Sequence, residues 1–426
     1  MEKGMISVDK WSEESQVYFL THLHSDHTKG LSSKWSKGPL LCSSITAKLF
    51  PTKFPDFDLS FLQVLDIGSS YSLSLVSPTT GLEISFQVTT IDADHCPGAV
   101  MYLFRGEFGC ILYTGDFRWE ATSEKALLGK SMLIKALGGD KIDFLYLDNT
   151  YCNPSYSFPP REVTARQVVN IIASHPQHDV IIAINTLGKE DLLIHISRAL
   201  SIKIWVWPER LQTMHLLGFH DIFTTKTSLT RVRAVPFYSF SINTLEELNT
   251  MRPTIGIMPS GLPWLVRPVD ERDYSLGLSL PIFQHTTKCQ ETEESSSLRK
   301  FHQYIYTVPY SDHSCFDEIK EFIKLVCPLS IKGIVSSSSC SIDPLYYLSH
   351  LCGPNQVIEQ TTKKFRTRKV DESLEEKHVK VVKSIAVEFK KEKNMNVGCL
   401  SVRRSRVSVL RRFRRGAKIV ERSGVD

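Results

Sequence analysis

Four side chains that can bind a metal ion crowd into six residues near the start of the chain. The segment HLHSDH places His22, His24, Asp26 and His27 directly after the apolar run VYFL. Alternate side chains of an extended segment point the same way, and a tight turn would bring the last two residues round to the first two. Imidazole and carboxylate groups suit Zn²⁺. The cluster therefore predicts a metal site, where bound water would become a nucleophile near neutral pH.

Further candidate ligands stand at the ends of other predicted strands. His95 lies in DADHCPG, Asp116 in YTGDFR and His313 in PYSDHS, each after an apolar run and before a turn. Any one of them alone would more often cap a turn or join a hydrogen bond in the core, and HLHSDH alone is open to being a histidine-rich surface loop. Their joint occurrence favours one metal site assembled from several strand ends.

The elements that must position these residues change character along the chain. Residues 1–156 contain short apolar runs such as EISFQVTTID, AVMYLF and CILYT, typical of many strands packed in a sandwich. Residues 157–302 alternate predicted helices with predicted strands, as in an α/β domain. Residues 303–360 return to the first pattern. Residues 361–426 are dominated by charge, with a charged helix expected over 372–393.

Charge divides the chain into an acidic body and a basic tail. The whole chain holds 51 Lys and Arg against 46 Asp and Glu, a net charge of +5. Residues 361–426 hold 20 basic against 8 acidic residues, which leaves 31 against 38 in the body. The segment RRSRVSVLRRFRRGAK predicts non-specific phosphate contacts, a nuclear import signal or a surface for protein partners. A solvated end is the alternative.

Composition also bears on the compartment. The ten cysteines show no CxxC pairs, and the N-terminal stretch MEKGMISVDK has no apolar core. No segment approaches the ~18 uninterrupted apolar residues of a membrane span. We therefore expect free thiols, a reducing compartment and no membrane partner.

The motifs occur in an order that resembles a known family. HLHSDH, DADHCPG and YTGDFR are similar to the signature of the metallo-β-lactamase superfamily, and LYLDNTYC, TLGKE and VPYSDHS resemble its β-CASP branch, which processes nucleic acids. The residues of these motifs look most like those of the Apollo/Artemis group of DNA crosslink-repair and end-processing nucleases, nearest to its 5′ exonuclease members. The resemblance covers about residues 5–345. It implies an α/β fold: a metallo-β-lactamase αββα sandwich of residues 1–156 and 303–360, with an α/β β-CASP domain of 157–302 inserted.

The same resemblance implies a centre for one or two Zn²⁺ ions. Two ligand sets follow, which share Asp116: His22, His24, His95 and Asp116, and Asp26, His27, Asp116 and His313. Asp9 resembles a structural first-strand aspartate, and Asp148 in YLDNTYC is expected to orient a ligand histidine or hold a proton. The predicted catalytic residues are Asp26, His27, Asp116, Asp148 and His313.

The loop TLGKE lies between the predicted strand DVIIAIN and a predicted helix. Thr186 and Gly188 are expected to present backbone N–H groups at the helix N-terminus, where an anion is favoured, and Lys189 to add a charge. The residues alone leave open an ordinary loop with a solvated lysine. The resemblance favours a pocket for a 5′-terminal phosphate, which Ser260 in IMPSGLPW would join. Arg118 in GDFR is expected either to contact the DNA backbone or to pair with a local carboxylate.

The implied function is a zinc-dependent 5′-to-3′ DNA exonuclease of the nucleus. Its substrates would be single-stranded or overhanging 5′-phosphorylated ends, in interstrand-crosslink repair or end processing, telomeres included. A β-CASP RNA endonuclease is disfavoured by Val335, because RNA-cleaving relatives resemble one another in carrying histidine there. The inserted block disfavours a small-molecule hydrolase, and the intact ligand set disfavours a non-catalytic DNA-end-binding scaffold. Segments 123–143 and 289–300 read as additions that are expected to change substrate entry.

Overall fold

A short parallel sheet comes first along the chain. The computed structural model describes residues 4–12, 14–261, 299–335 and 343–353, with the backbone alone for 299–302. Neighbouring strands of the first sheet pair in parallel, in the order β1-β2-β3-β4. These strands are β1 (Ile6–Val8), β2 (Val17–Phe19), β3 (Leu40–Ser43) and β4 (Leu62–Leu65).

A larger, mixed sheet faces it. Its order is β17-β9-β8-β7-β6-β5, antiparallel from β5 to β8 and parallel from β8 to β17. These strands are β5 (Ser70–Val76), β6 (Glu83–Asp92), β7 (Val100–Gly106), β8 (Gly109–Tyr113), β9 (Phe144–Leu147) and β17 (Ser330–Gly333).

Strand β7 is buried on both faces, which explains the unbroken apolar run AVMYLF. Tyr102 and Phe104 pack edge-on against Phe19 of the four-stranded sheet, with ring centroids 5.1 and 5.0 Å apart. Met101 and Leu103 point to the opposite face and join a separate apolar cluster. Alternation along one strand therefore supplies two layers of core.

Helices cover the outer faces of both sheets. Helix α1 (Ser44–Lys53) places Leu49 and Phe50 against β2 and β3. Helices α2 (Glu124–Leu137), α7 (Phe316–Val326) and α8 (Pro344–Leu348) pack on the six-stranded sheet. The layers run helix, sheet, sheet, helix, so the predicted αββα sandwich is confirmed.

A third sheet is built mainly from the middle of the sequence. Its order is β12-β11-β13-β10-β14-β16-β15, parallel except for the last pair. The strands are β10 (Asp179–Ile184), β11 (Ile204–Trp205), β12 (Phe223–Thr224), β13 (Val232–Pro236), β14 (Thr254–Pro259), β15 (Arg299–His302) and β16 (Ile305–Val308). The helices of this block are α3 (Arg161–Ala173), α4 (Glu190–Leu200), α5 (Pro208–Leu216) and α6 (Ile242–Asn249).

Strand pairing bears on one of the predicted domain boundaries, the one between residues 302 and 303. Strand β16 pairs in parallel with β14, and β15 pairs with β16. The boundary predicted between residues 302 and 303 therefore falls inside a hairpin of the third sheet. This pairing favours a boundary after Val308, and the division 1–156, 157–302, 303–360 otherwise stays a prediction.

Of the remaining segments for which the sequence analysis made predictions, the structure describes 123–143 in full and the others in part or not at all. The segment 123–143 forms α2, a helix capped by the Ser123 hydroxyl and ended by Gly138 in the left-handed region. Most of the loop 289–300, the helix expected at 372–393 and the tail 361–426 lie outside the described residues. Within the described ranges, none of the helices combines the length and apolar character needed to cross a bilayer.

Candidate metal centre

The predicted ligands meet where strands of the sandwich end. The HLHSDH segment follows β2, while His95 and Asp116 follow β6 and β8. Strands β6 and β8 run in the same direction, because each is antiparallel to β7 between them. Their carboxyl ends therefore lie at one edge of the sheet. His313 arrives at the same place after β16.

Two local features hold the ends of β1, β2 and β8 together. Asp9, whose φ of 52° is left-handed, accepts hydrogen bonds from the Thr21 N–H at 2.9 Å and from its hydroxyl at 2.6 Å. Gly115 approaches Thr21 so closely that an added Cβ would lie 2.8 Å from the Thr21 Cβ. Glycine at this position therefore lets the YTGDF turn bring Asp116 against the end of β2.

Asp116 stands among four imidazole rings. Its Oδ1 lies 3.1 Å from Nε2 of His27. Its Oδ2 lies 3.6, 3.5 and 4.0 Å from Nε2 of His22, His95 and His313. One carboxylate thus contacts histidines of both predicted ligand sets, which is the bridging position expected of it.

Every histidine of the centre makes a hydrogen bond through the ring nitrogen that points outward. The acceptors and distances are Asp9 for His27 (2.7 Å), Asp148 for His313 (2.8 Å), the Thr21 hydroxyl for His22 (3.0 Å), the Asp312 carbonyl for His95 (2.8 Å) and the Leu187 carbonyl for His24 (3.0 Å). Carboxylates and carbonyls only accept, and the Thr21 hydroxyl donates its own proton to Asp9, so each outward nitrogen carries a proton. Each inward nitrogen offers a lone pair once any second proton has left the ring. The contact expected of Asp148 is present.

The donor set fits a metal ion. Among the described residues, the fully buried Nε2 of His22 has no hydrogen-bond partner. A buried lone pair without a partner costs free energy unless something else binds it. Three groups of ligand atoms each lie within 4.8 Å of one another: His22, His24, His95 and Cys96; His22, His27 and Asp116; and His95, Asp116 and His313.

Asp26 does not join these groups. Its side chain is 77% exposed, and its Oδ2 lies 3.7 Å from Nε2 of His27. The structure thus places Asp26 at the rim of the centre, not among the convergent ligands predicted for the second position. Cys96 is the opposite case, because its thiol reaches the first group although the sequence reasoning did not select it. Its place directly after His95 was the available signal.

The charges of the histidines follow from burial and from neighbouring carboxylates. Burial lowers the pKa of His22, His24 and His95, to about 3 for His95. Burial also opposes the charge on His27, but Asp9 and Asp116 outweigh it and raise the pKa to about 12. Asp148 and Asp116 likewise raise the pKa of His313 to about 9. A cation would therefore meet three neutral imidazoles and displace protons from the other two.

Comparison with known proteins gives matches to DNA repair proteins. Residues 219–339 match the family model described as DNA repair metallo-beta-lactamase. The chain is 37% identical over 348 residues to the 5′ exonuclease Apollo of Gallus gallus, a match that covers 81% of this chain and 65% of that protein. Apollo of Mus musculus is 37% identical over 341 residues, with 79% and 54% covered. The chain is thus similar to these relatives over most of its length, and to the DNA repair metallo-beta-lactamase family over residues 219–339.

A plant protein is similar to the chain as well. The DNA cross-link repair protein SNM1 of Arabidopsis thaliana is 30% identical over 336 residues, which cover 76% of this chain and 61% of that protein. The resemblance predicted from the motifs is thereby confirmed. The chain spans 54% to 65% of the length of these three relatives.

The centre opens into a cleft of about 880 Å³. One side is formed by the HLHSDH segment, and the other by loops that follow β10, β13 and β14. Strand β10 lies between β13 and β14. After β10 the chain forms β11, β12 and β13 on one side of it and then crosses to form β14 on the other side. Ligands of parallel sheets bind at such switch points. Asn185, Thr186 and Ser260 line the cleft there.

The structure contradicts the predicted roles of Gly188 and Lys189 in a phosphate pocket. The buried N–H of Gly188 donates to the Glu190 carboxylate at 2.9 Å, so it is not presented to a ligand. The Nζ of Lys189 lies 2.7 Å from the buried Asp312 carboxylate. Glu190 and Asp191 occupy the first turn of α4 and oppose an anion at its N-terminus. Of the predicted pocket, Thr186 and Ser260 remain.

Arg118 pairs with a carboxylate of the protein, which was one of the two expectations for it. Its side chain is fully buried, and its Nη2 lies 3.0 Å from the Glu318 carboxylate. Its Nη1 donates to the Ser311 carbonyl at 3.0 Å. A guanidinium enclosed in this way cannot reach a DNA backbone.

Two further cleft residues were missed by the sequence reasoning. Tyr238 follows β13, lines the cleft and is 68% exposed. Asp312 precedes His313, and its carbonyl holds His95. VPYSDHS showed Asp312 as a polar residue at a strand end, whereas FYSF gave no sign that Tyr238 would face a cleft. Val335, expected to mark DNA preference, also lines the cleft and exchanges backbone hydrogen bonds with the Asn149 amide.

Proposed function

We propose that this protein is a zinc-dependent 5′-to-3′ exonuclease that hydrolyses DNA from 5′-phosphorylated ends. Its setting would be interstrand-crosslink repair or end processing in the nucleus. The observation that carries the proposal is the carboxylate of Asp116 among four histidines at the floor of an open cleft. The names of the relatives, 5′ exonuclease and DNA cross-link repair protein, support the substrate class.

The residues that would hold zinc are the histidines of the centre with Asp116, and Asp26 from the rim. A divalent metal bound there supplies a water nucleophile near neutral pH and offsets the charge of phosphate oxygens. The Nε2 of His313 would either bind the metal or, when it does not, hold a proton for the leaving 3′-oxygen, because Asp148 accepts a hydrogen bond from Nδ1 at 2.8 Å. Asp148 is expected to set the orientation of the ring in both cases.

The charge of the cleft supports a requirement for metal. Its described lining includes four aspartates and two lysines, namely Asp9, Asp26, Asp116, Asp312, Lys10 and Lys189. Lys189 is already paired with Asp312. In the metal-free protein the protonated His27 and His313 offset these carboxylates, and a bound cation that displaces their two protons would take over that role. The proposal therefore places the source of positive charge in the metal.

The 5′-phosphate is proposed to bind at the switch point of the third sheet. Thr186 is exposed there and Ser260 lines the same part of the cleft. Hydroxyl and backbone N–H groups of such loops are suited to a terminal phosphate. Binding of the strand end at this place would present the next phosphodiester to the metal centre, which accounts for exonuclease polarity.

One gel assay tests the proposal. Zinc-loaded protein is incubated with a 3′-labelled DNA strand that carries either a 5′-phosphate or a 5′-hydroxyl, beside the RNA of the same sequence. We expect the labelled strand to shorten from its 5′ end, faster with the phosphate and faster for DNA. Internal cuts or a preference for RNA would favour a β-CASP endonuclease. Bound zinc without any cutting would favour a scaffold or a small-molecule hydrolase.

Tyr238 gives a second prediction for a nucleic-acid substrate. An exposed ring at a cleft wall can stack on a base, which is worth roughly 1–3 kcal/mol. We expect Tyr238→Ala to raise KM for DNA about 5-fold to 150-fold and Tyr238→Phe to leave it near wild type. Tyr346→Ala is the matched control, because that ring is 75% exposed on α8 and does not line the cleft. Equal KM values for the two alanine variants would rule out stacking at Tyr238.

A further inference from the structure

The loop between β10 and α4 touches the metal centre directly. Its Leu187 carbonyl accepts a hydrogen bond from Nε2 of His24 at 3.0 Å. The Nδ1 of the same ring lies 3.1 Å from Nε2 of His95 and so points into the centre. A loop of the third sheet thus sets the tautomer and the direction of a ligand that belongs to the αββα sandwich.

A second contact of the same kind comes from the segment after β16. The backbone carbonyl of Asp312 accepts a hydrogen bond from Nδ1 of His95 at 2.8 Å. The side chain of Asp312 points the other way, and its Oδ2 lies 2.7 Å from Nζ of Lys189. Both side chains are about nine-tenths buried, at 10% exposure for Lys189 and 9% for Asp312. The ion pair therefore connects the two segments whose carbonyls hold His24 and His95.

The loop is braced from behind. Arg210, a fully buried residue of α5, donates to the carbonyls of Thr186 and Gly188 and forms an ion pair with Glu190. Lys189 itself has a left-handed backbone, with a φ of 63°. Arg210 thus fixes the backbone of the loop at both ends. The link from the loop to Asp312 is then made by the Lys189 side chain.

We infer that Lys189 is a positioning residue of the metal centre, which acts through Asp312 to hold the acceptors of His24 and His95 in register. The inference rests on the metal centre of the proposed function, and not on its substrate. If the inference holds, the third sheet contributes to the metal affinity of the centre without supplying a ligand. Loss of an outer hydrogen-bond partner typically weakens a metal site 10-fold to 100-fold.

Two other roles for Lys189 make opposite predictions. If it acted only as a charge, its removal would take a positive group away from a bound cation and tighten metal binding. If it bound the 5′-phosphate, its removal would leave metal affinity alone and reduce discrimination between 5′-phosphate and 5′-hydroxyl ends. Positioning predicts weaker metal binding with discrimination retained at saturating metal.

The experiment uses the full chain, made metal-free and titrated with zinc against a chromophoric chelator. The variants are Lys189→Met, which keeps the length of the side chain, and Lys189→Met/Asp312→Asn, which also removes the carboxylate left behind. Lys125→Met is the matched control. Lys125 of α2 pairs with Asp191 on the first turn of α4, the helix that follows Lys189, and both side chains of this pair are 58% exposed. The urea midpoint of each metal-free protein is measured beside the zinc affinity.

We expect both Lys189 variants to bind zinc about 10-fold to 100-fold more weakly than wild type, and Lys125→Met to match wild type. The double variant keeps net charge constant and leaves no buried lone charge, so it serves if the single variant does not fold. Unchanged or tighter zinc binding in the double variant would overturn the inference. A changed urea midpoint with unchanged zinc affinity would do so as well, since it would show a merely structural pair. Failure of wild type to bind zinc would instead overturn the proposed metal centre.

Discussion

An Asp116→Ala variant is expected to lose cleavage of a 5′-phosphorylated strand by more than the roughly 10²–10³-fold that loss of one charge-stabilising group costs other hydrolytic enzymes. The reason is that Asp116 is within 4.0 Å of four histidines of the centre. Without it, the protonated His27 and His313 lose a compensating carboxylate, and a cation at the centre would be held by imidazoles alone apart from Asp26 at the rim. Metal content and single-turnover cleavage are both measured.

The isosteric Asp116→Asn variant separates charge from shape. It keeps an oxygen in place but removes the negative charge, so we expect zinc content well below one equivalent and little cleavage. Asp140→Ala is the control, since that carboxylate pairs with Arg105 at the surface and is 66% exposed. Wild-type cleavage by Asp116→Asn would contradict the bridging role. Loss of cleavage with full zinc content would move Asp116 from ligand to another catalytic role.

The sequence was most informative where chemistry and strand ends coincide. HLHSDH, DADHCPG and YTGDFR each follow a strand that the apolar pattern marks, so His22, His95 and Asp116 could be placed at one edge before any coordinates. The continuous run AVMYLF belongs to a strand buried on both faces, and its composition reports that burial. Both features are local, and local patterns are what a single sequence records well.

The sequence was least informative where a group's partner is distant in the chain. Lys189 in TLGKE reads as an exposed cation at a helix start, yet its partner Asp312 is 123 residues away. Arg118 likewise reaches Glu318 across 200 residues. Neither spacing nor composition shows which carboxylate a cation will meet after folding, so a buried ion pair and a ligand-binding cation look alike in sequence.

Asp26 illustrates a different limit. Its side chain is 77% exposed and turned to the rim, although the motif places it between the ligands His24 and His27. An exposed carboxylate keeps its hydration, and turning it inward would cost that hydration unless a positive charge offset the loss. The spacing pattern records neither the exposure of Asp26 nor the direction of its side chain.

An Arg118→Ala variant is expected to lower the free energy of unfolding by about 3–5 kcal/mol, the range for breaking one partner of a buried ion pair. Arg118 lies fully buried between two carboxylates, with Glu318 at 3.0 Å and Glu120 at 3.7 Å. Glu120 also pairs with Arg161 at the start of α3, at 3.1 Å. Loss of Arg118 leaves Glu318 buried without its cation and removes a donor from the Ser311 carbonyl. The midpoint and slope of urea unfolding measure the loss.

The expected loss in the free energy of unfolding is set by the burial of Arg118 and not by the ion pair as such. Arg166→Ala is the matched control, because Arg166 pairs with Glu162 at 2.7 Å but the side chains are 57% and 71% exposed. That pair is expected to contribute no more than about 0.5 kcal/mol. Arg118→Met/Glu318→Gln removes both charges and should recover part of the loss, since the penalty lies in the unpaired carboxylate. If Arg118→Ala and Arg166→Ala shifted the urea midpoint equally, burial of this network would not be what makes Arg118 important. A double variant less stable than Arg118→Ala would show that the Glu318 contact with the Cys315 N–H, at 2.9 Å, outweighs the ion pair in holding the start of α7.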